Sequence, residues 1–473
     1  MNDFETMFAP DCRQIHHRRT EARNDIPGSK PLISRTAPKV PRANVSLWHV
    51  LALIAFTLSA PLTQAAAAER TAAVMASKTP ISLERAEKLF MERNRELQFA
   101  RRATESSEAD VLSASAAPNP ELSIGSSRIS PSVGIGTGPL SQKRVDTVIG
   151  ISQVFERGNK RELRTEAAQF SAVAARNDEN DFLRQQRQGL YFAYYDLLQA
   201  QERLNISEST SALFEKSVAA ADRRFKAGDI AATELSRIQV DALRARNDVR
   251  SAQADLERSQ IALAYLIGAE KDAGGIVASD SWPALATAKE SPSVEKALEQ
   301  RADIRAAQER IKAAEKNREL ARALLTRDVT AGVQYERFPG DVSNNSYGLT
   351  VSIPLFTRNL YTGEIRRAEI ELENARENLE RVRAVALGEI RRANNDLDAA
   401  AERVERLTAT LLPTAEKAAK GAEFAYERGA IGIMDLLDAR RQFYAVRIES
   451  VSAQADYAKA LAAKRSATAL TSD

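Results

Sequence analysis

Two kinds of periodicity alternate along this chain. The shorter has a period of two. In "SYGLTVSIPLF" (346–356), Tyr347, Leu349, Val351, Ile353 and Leu355 alternate with Gly348, Thr350, Ser352 and Pro354. One face of such a strand is apolar and the other small or polar. Its partner strand is "DVTAGVQYERF" at 328–338, and "ELSIGSSRI" (121–129) and "DTVIGISQVF" (146–155) form a second pair. Between the latter two lies "SPSVGIGTGPLSQ" (130–142), rich in the residues that turns require. The longer period is a heptad seam. Ile365, Ala368, Leu372, Ala375, Leu379 and Val382 step by three and four, and Leu397, Ala400, Val404, Leu407 and Leu411 resume the pattern. That seam suits knobs-into-holes packing of long helices. No proline occurs between Pro139 and Pro283, so a helix over 160–226 can run unbroken for about 100 Å at 1.5 Å per residue. A counterpart over 361–427 has the same length, with a kink expected at Pro413.

The pattern occurs twice. "FKAGDIAATELSRIQ" (225–239) and "YERGAIGIMDLLDAR" (426–440) share an aromatic, a Gly three residues on, an Ile, and an acid followed by Leu, at an offset of 201. The same offset pairs "SAQAD" at 251–255 with "SAQAD" at 452–456, and "VFER" (154–157) with "LFTR" (355–358). Upstream the offset becomes 207, pairing "ELQFA" (96–100) with "DIRAA" (303–307) and "ELSIG" (121–125) with "DVTAG" (328–332). Each copy therefore reads as a helix (82–115 or 292–324), two strands, a very long helix, a Gly turn and a second helix starting near Ala232 or Ile433. Gly228 and Gly429 are expected as left-handed C-caps at the tips of two antiparallel hairpins. Residues 69–473 form one protomer: repeat one at about 80–268, a connector at about 269–291, and repeat two at about 292–468.

An apolar run of 14 residues, "LWHVLALIAFTLSA" (47–60), follows Lys39 and Arg42 and precedes "TQAAAAE". It is short for a membrane helix and reads as a secretory signal with a long basic region, spanning 1–68. Cleavage after Ala68 removes the single Cys12 and all three histidines, His16, His17 and His49, and leaves 59 basic and 59 acidic residues. The mature chain then has no disulfide, no His- or Cys-based catalysis, none of the usual zinc or copper ligands, and no charge excess for nucleic acid. We expect no enzyme, no cofactor and no resident metal.

Four strands with one apolar face leave two open edges, which lipid does not tolerate. The sheet is therefore expected to close with copies of itself in a bacterial outer membrane, and the helices to prolong it into the periplasm. Here "AAPNPELSIG", "SIPLF", "RFKAGDIAATELSRIQ" and above all "YERGAIGIMDLLDARRQF" resemble the TolC-type outer membrane factors of Gram-negative efflux systems, over roughly 80–468. The resemblance implies an α+β fold of mainly long α-helices, internally duplicated. It implies a homotrimer with a 12-stranded β-barrel, four strands per protomer, continued by a periplasmic α-helical barrel. Conduction would be passive, driven by an inner-membrane RND-type pump through a periplasmic adaptor. "ISQVFERGNKRELR" (151–164) resembles the heavy-metal branch of CzcC-like proteins, with Asn159 where that branch carries a second glycine. Many relatives have a lipidated Cys after the signal; Ala stands there in this chain, so no lipid anchor is expected.

Asp435 and Asp438 share one helix face, at i and i+3. Spacing alone is compatible with a solvated face; the resemblance of "IMDLLDA" points to a pore constriction, two rings of carboxylates that favour cations. By the same resemblance Glu234 and Tyr426 form a tip gate, although Ile431 stands where the family has a basic partner, leaving Arg428 as the substitute. Gly228 and Gly429 match the grooves where adaptor tips dock. The substrate implied is a heavy-metal cation such as cobalt, zinc or cadmium. Alternatives are a multidrug or type I secretion channel and, further off, a periplasmic adaptor or an exported coiled coil.

Overall fold

The computed structural model describes residues 79–127, 129, 134, 136–139, 145–285, 293–338 and 344–468, all within the unit Thr71–Asp473. The expected signal, most of the loop at 130–142 and the end of the connector lie outside the described residues.

A short strand β1 (Thr79–Ile81) leads into helices α1 (Leu83–Arg93) and α2 (Arg95–Ser115). Strands β2 (Glu121–Ser127) and β3 (Asp146–Phe155) follow, then the hairpin of α3 (Lys160–Lys226) and α4 (Ala232–Ile267). A 3-10 turn (Glu270–Gly275) and strand β4 (Ile276–Ala278) begin the connection to the second half. There α5 (Val294–Gln300) and α6 (Ala302–Ala323) precede β5 (Val329–Phe338) and β6 (Asn344–Ser352). The second hairpin is α7 (Thr362–Arg406), a π turn (Leu407–Leu411), α8 (Leu412–Glu427) and α9 (Ile433–Ala467).

The four longer strands make one antiparallel sheet in the order β2-β3-β5-β6. Its register lines up the apolar residues across all four strands. Leu122, Ile151, Val333 and Leu349 form one row, and Ile124, Ile149, Tyr335 and Tyr347 the next. Leu349 and Tyr347 are each 86% exposed and Ile124 71%. Rows of the opposite face read Ser123, Gly150, Gln334, Gly348 and Glu121, Ser152, Gly332, Thr350. A water-soluble sheet turns its apolar face inward; this one turns it out. Strand β6 stops at Ser352, short of the alternation expected as far as Leu355, and Pro354 has no N–H for a ladder.

Sheet and helices join through a tight turn. Gly158 (φ +76°) and Asn159 (φ +56°) are both left-handed. Asn is among the few residues other than Gly that tolerate this conformation, which accounts for its presence at the second glycine position of the CzcC-like pattern. Buried Lys160 then donates from Nζ to Thr326 O (2.7 Å) and Asp328 Oδ1 (2.8 Å), tying the start of α3 to the start of β5. Arg164 grips Glu156 with both Nη atoms, at 2.8 and 3.2 Å, and donates to Ala114 O (2.9 Å) and Ala116 O (3.2 Å). It thereby occupies carbonyls that the end of α2 leaves open.

Helix α3 runs unbroken for 67 residues, as its proline-free sequence predicts. Its counterpart breaks where Pro413 falls. The Leu412 N–H reaches back five residues to Leu407 O, and Pro413 sits in the first turn of α8, where a missing N–H leaves no bond unmade. The two helices expected over 82–115 and 292–324 are each broken once. Asn94 caps α2 by accepting from Leu97 N–H (2.9 Å) and holds Leu266 O (2.9 Å). Arg301, 1% exposed, pairs with Asp303 (2.7 Å) and Glu389 (2.8 Å) and donates to Ala467 O (3.1 Å).

One element escaped the sequence pattern. β1 and β4, three residues each, pair in parallel and lie over the middle of α3. Tyr194 Oη donates to Asp280 Oδ2 (2.9 Å) and lies 3.0 Å from Ile81 O, and Gln201 bonds the Ala278 backbone on both sides. Leu190, Leu197, Leu263 and Ile267, all fully buried, fill the space beneath. Each such side chain is worth about 1.5–3 kcal/mol of burial, so this is where the first hairpin is anchored.

Candidate functional site

The two hairpin tips are built alike. At the first, Gly228 N–H donates to Phe225 O and Asp229 N–H to Arg224 O, each at 2.9 Å. At the second, Gly429 N–H donates to Tyr426 O (2.9 Å) and Ala430 N–H to Ala425 O (2.8 Å). Both are Schellman closures around a glycine with positive φ, +85° and +73°. A Cβ at either glycine would meet nothing within 4 Å, so both tips present open backbone. Beneath them one apolar cluster joins the hairpins. Ile238 and Leu235 of α4 and Phe214 of α3 pack with Ile433, Leu436 and Leu437 of α9.

Polar links lie over this cluster. Arg224 at the end of α3 donates from Nη1 to Tyr426 Oη (2.9 Å), and its guanidinium lies 5.9 Å from the ring centroid. Donating to the Tyr426 oxygen raises the Arg224 pKa, with the charges of Asp229 and Glu234 adding to the shift. Tyr426 thus bonds a cation, Arg224, that its sequence neighbourhood did not point to, while Glu234 bears on that cation only through its charge. Arg428, the expected substitute, instead lies over the Phe424 ring at 4.8 Å, on its own helix. A second link joins α9 to α4. Arg441 donates to Asp438 (2.5 Å), one turn back on α9, and to Asp241, whose side chain is 7% exposed. A third holds Arg440 between Glu423 (2.9 Å) and Ser217 Oγ (2.9 Å).

Asp435 and Asp438 are both exposed. Their surroundings differ. Asp435 is the third residue of α9, and its Oδ2 accepts from Gly432 N–H at 3.3 Å, closing the helix start. Asp438 is paired with Arg441. Among the described residues, no cluster of three or more His, Cys, Asp or Glu is placed to hold a metal ion.

Fold and site together define one protomer: an outward apolar sheet carried on long hairpins with linked tips. Residues 88–269 and 293–469 match the family model of outer membrane efflux proteins, and the chain belongs to that family. Its members are outer membrane channels that extend into the periplasm, not enzymes. The chain is 24% identical over 373 residues to the cobalt-zinc-cadmium resistance protein CzcC of Cupriavidus metallidurans, covering 78% of this chain and 85% of that one. A membrane protein of Pseudomonas aeruginosa shares the fold with a TM-score of 0.69, at 20% identity, over 82% of this chain and 93% of its own. CusC does so with a TM-score of 0.66 at 18% identity, over 82% and 91%.

Proposed function

We propose that three copies of this chain form a 12-stranded barrel in the outer membrane, continued by a helical tube of six hairpins, and that the assembly conducts heavy-metal cations passively out of the cell. The observation that carries the reading is the sheet: two four-residue apolar rows face outward, and β2 and β6 each keep an unpaired edge. In water such a sheet aggregates; in lipid it is stable only when closed by further copies. The opposite face, with its glycine and serine rows, then lines the lumen.

An inner-membrane RND-type pump supplies the driving force, and a periplasmic adaptor docks at Gly228 and Gly429. Asp435 and Asp438 stand at the constriction, and Glu234 and Tyr426 act in the tip gate. Residues 1–68 act as an export signal, and the mature chain carries no lipid. The duplicated halves meet at the connector of about 269–291. The similarity to CzcC, whose name states cobalt, zinc and cadmium resistance, supports a metal substrate. The strand-to-helix turn at Gly158 and Asn159 supports the same branch.

The test is deletion of the gene followed by growth on cobalt, zinc, cadmium, nickel and copper, beside dyes, detergents and antibiotics. Sensitivity confined to metals is the expected result. Sensitivity to dyes and detergents alone would move the protein to multidrug efflux, and a wild-type pattern throughout would refute the reading.

A further inference from the structure

The constriction is not built of carboxylates alone. Arg441 holds the Asp438 carboxylate one turn away on the same helix and the Asp241 carboxylate of the other hairpin. The three side chains differ in exposure: 59% for Asp438, 43% for Arg441 and 7% for Asp241. What faces solvent at this level is therefore a carboxylate beside a guanidinium, with the second carboxylate behind them. Asp435, one turn nearer the tip, meets a backbone N–H. We propose that Arg441 is a selectivity-determining residue. Each protomer contributes an open carboxylate at Asp435 and a mixed-charge triad, Asp241–Arg441–Asp438, at the next level. The guanidinium offsets part of the negative potential that the carboxylates present to a permeating ion. This inference rests on the reading of Asp435 and Asp438 as pore residues. If Asp438 borders the ion path, a group bonded to its carboxylate borders it too.

The experiment measures the reversal potential of the purified full-length protein in planar bilayers under a potassium chloride gradient. Asp435→Asn tests the underlying reading and is expected to lower cation selectivity. Arg441→Gln is expected to raise the potassium-to-chloride permeability ratio about tenfold, because one unit charge about 6 Å from an ion in water shifts a cation and an anion about threefold each in opposite directions. Arg441→Lys, which keeps the charge but loses the two-armed grip, is expected to keep the wild-type ratio. A merely structural role predicts that Lys and Gln behave alike. Arg441→Gln strands the buried Asp241 carboxylate and risks failure to assemble. Should it yield no channels, Asp241→Asn is compared with Asp241→Asn plus Arg441→Gln, and the same rise is required between those two. An unchanged ratio in Arg441→Gln, with Asp435→Asn shifted, overturns the inference and leaves the channel reading standing. No shift in Asp435→Asn overturns the carboxylate constriction itself, and the inference with it.

Discussion

The two hairpins share a backbone plan and almost none of its chemistry. Both tips close on a positive-φ glycine, and both second helices start 201 residues apart, at Ala232 and Ile433. Glu234 and Asp435 occupy the same third helical position. Yet wherever one hairpin supplies a polar partner, the other has a different residue at the matching place. Arg224 corresponds to Ala425, Tyr426 to Phe225, Arg441 to Val240 and Asp241 to Gln442. Arg224 bonds Tyr426, and Arg441 bonds Asp241, across the two hairpins. Duplication supplied two matching scaffolds, and divergence made them complementary. A cross-hairpin bond needs unlike partners, which two identical copies do not offer at the same height.

The sharpest difference lies in the long helices. Helix α3 is continuous, whereas its partner carries a π turn ahead of Pro413. Moving the proline to the matching, exposed Ala212 should break that equivalence most severely. Ala212→Pro is expected to cost about 3 kcal/mol or more, because α3 has no π turn to absorb it. Pro413→Ala, already in a first turn, should change stability by less than about 1 kcal/mol. Thermal unfolding in detergent followed by helical circular dichroism checks both, and equal losses would contradict the account.

The tips come next. Gly228→Ala and Gly429→Ala should each cost about 1–2 kcal/mol, since both glycines are left-handed. Bulky residues such as valine at both are expected to abolish efflux while the protein still reaches the outer membrane. Retained metal resistance would tell against adaptor docking at these turns. Asp435→Ala removes the bond to Gly432 N–H and is expected to lower stability by about 0.5–1 kcal/mol. Glu234→Ala, at the equivalent position, should cost less, because its charge acts on exposed Arg224. A reversed order in unfolding midpoints would show that the two N-termini are closed differently.

The smallest effect on stability is expected at the exposed link. Arg224→Ala or Tyr426→Phe should cost only about 0.2–1 kcal/mol, as exposed pairs do. Their reading is conductance: the double variant with Glu234→Ala is expected to raise basal current in bilayers. An unchanged leak would mean that Tyr426 only packs against the apolar cluster.

Much of this was legible in the sequence because it rests on periodicity and on glycine. The proline-free run gave the extent of α3, and the alternation in 146–155 matched β3 residue for residue. The positive φ of Gly228 and Gly429 follows from the helix-stop pattern. The parallel pair β1 and β4 was hidden, because three-residue strands such as "TPI" and "IVA" are too short to show a period. The breaks at Asn94 and Arg301 were hidden as well, since both are set by long-range partners, Leu266 O for one and Glu389 for the other. At the tips, Asp435, Asp438, Glu234 and Tyr426 were nameable, but Arg224, Asp241 and Arg441 were not. Their bonds span 202 and 200 residues, close to the repeat offset of 201. Equivalent positions of the two copies lie side by side at the tips, so the offset itself held the signal.

A channel of this kind requires that copies of the same chain close the outward apolar sheet. The measurement is the native mass and heat-modifiable migration of the protein extracted from outer membranes in detergent. A three-copy assembly that dissociates to monomer only on heating is the result predicted. A stable monomer, or a chain recovered from the soluble periplasm with its sheet in water, would contradict it.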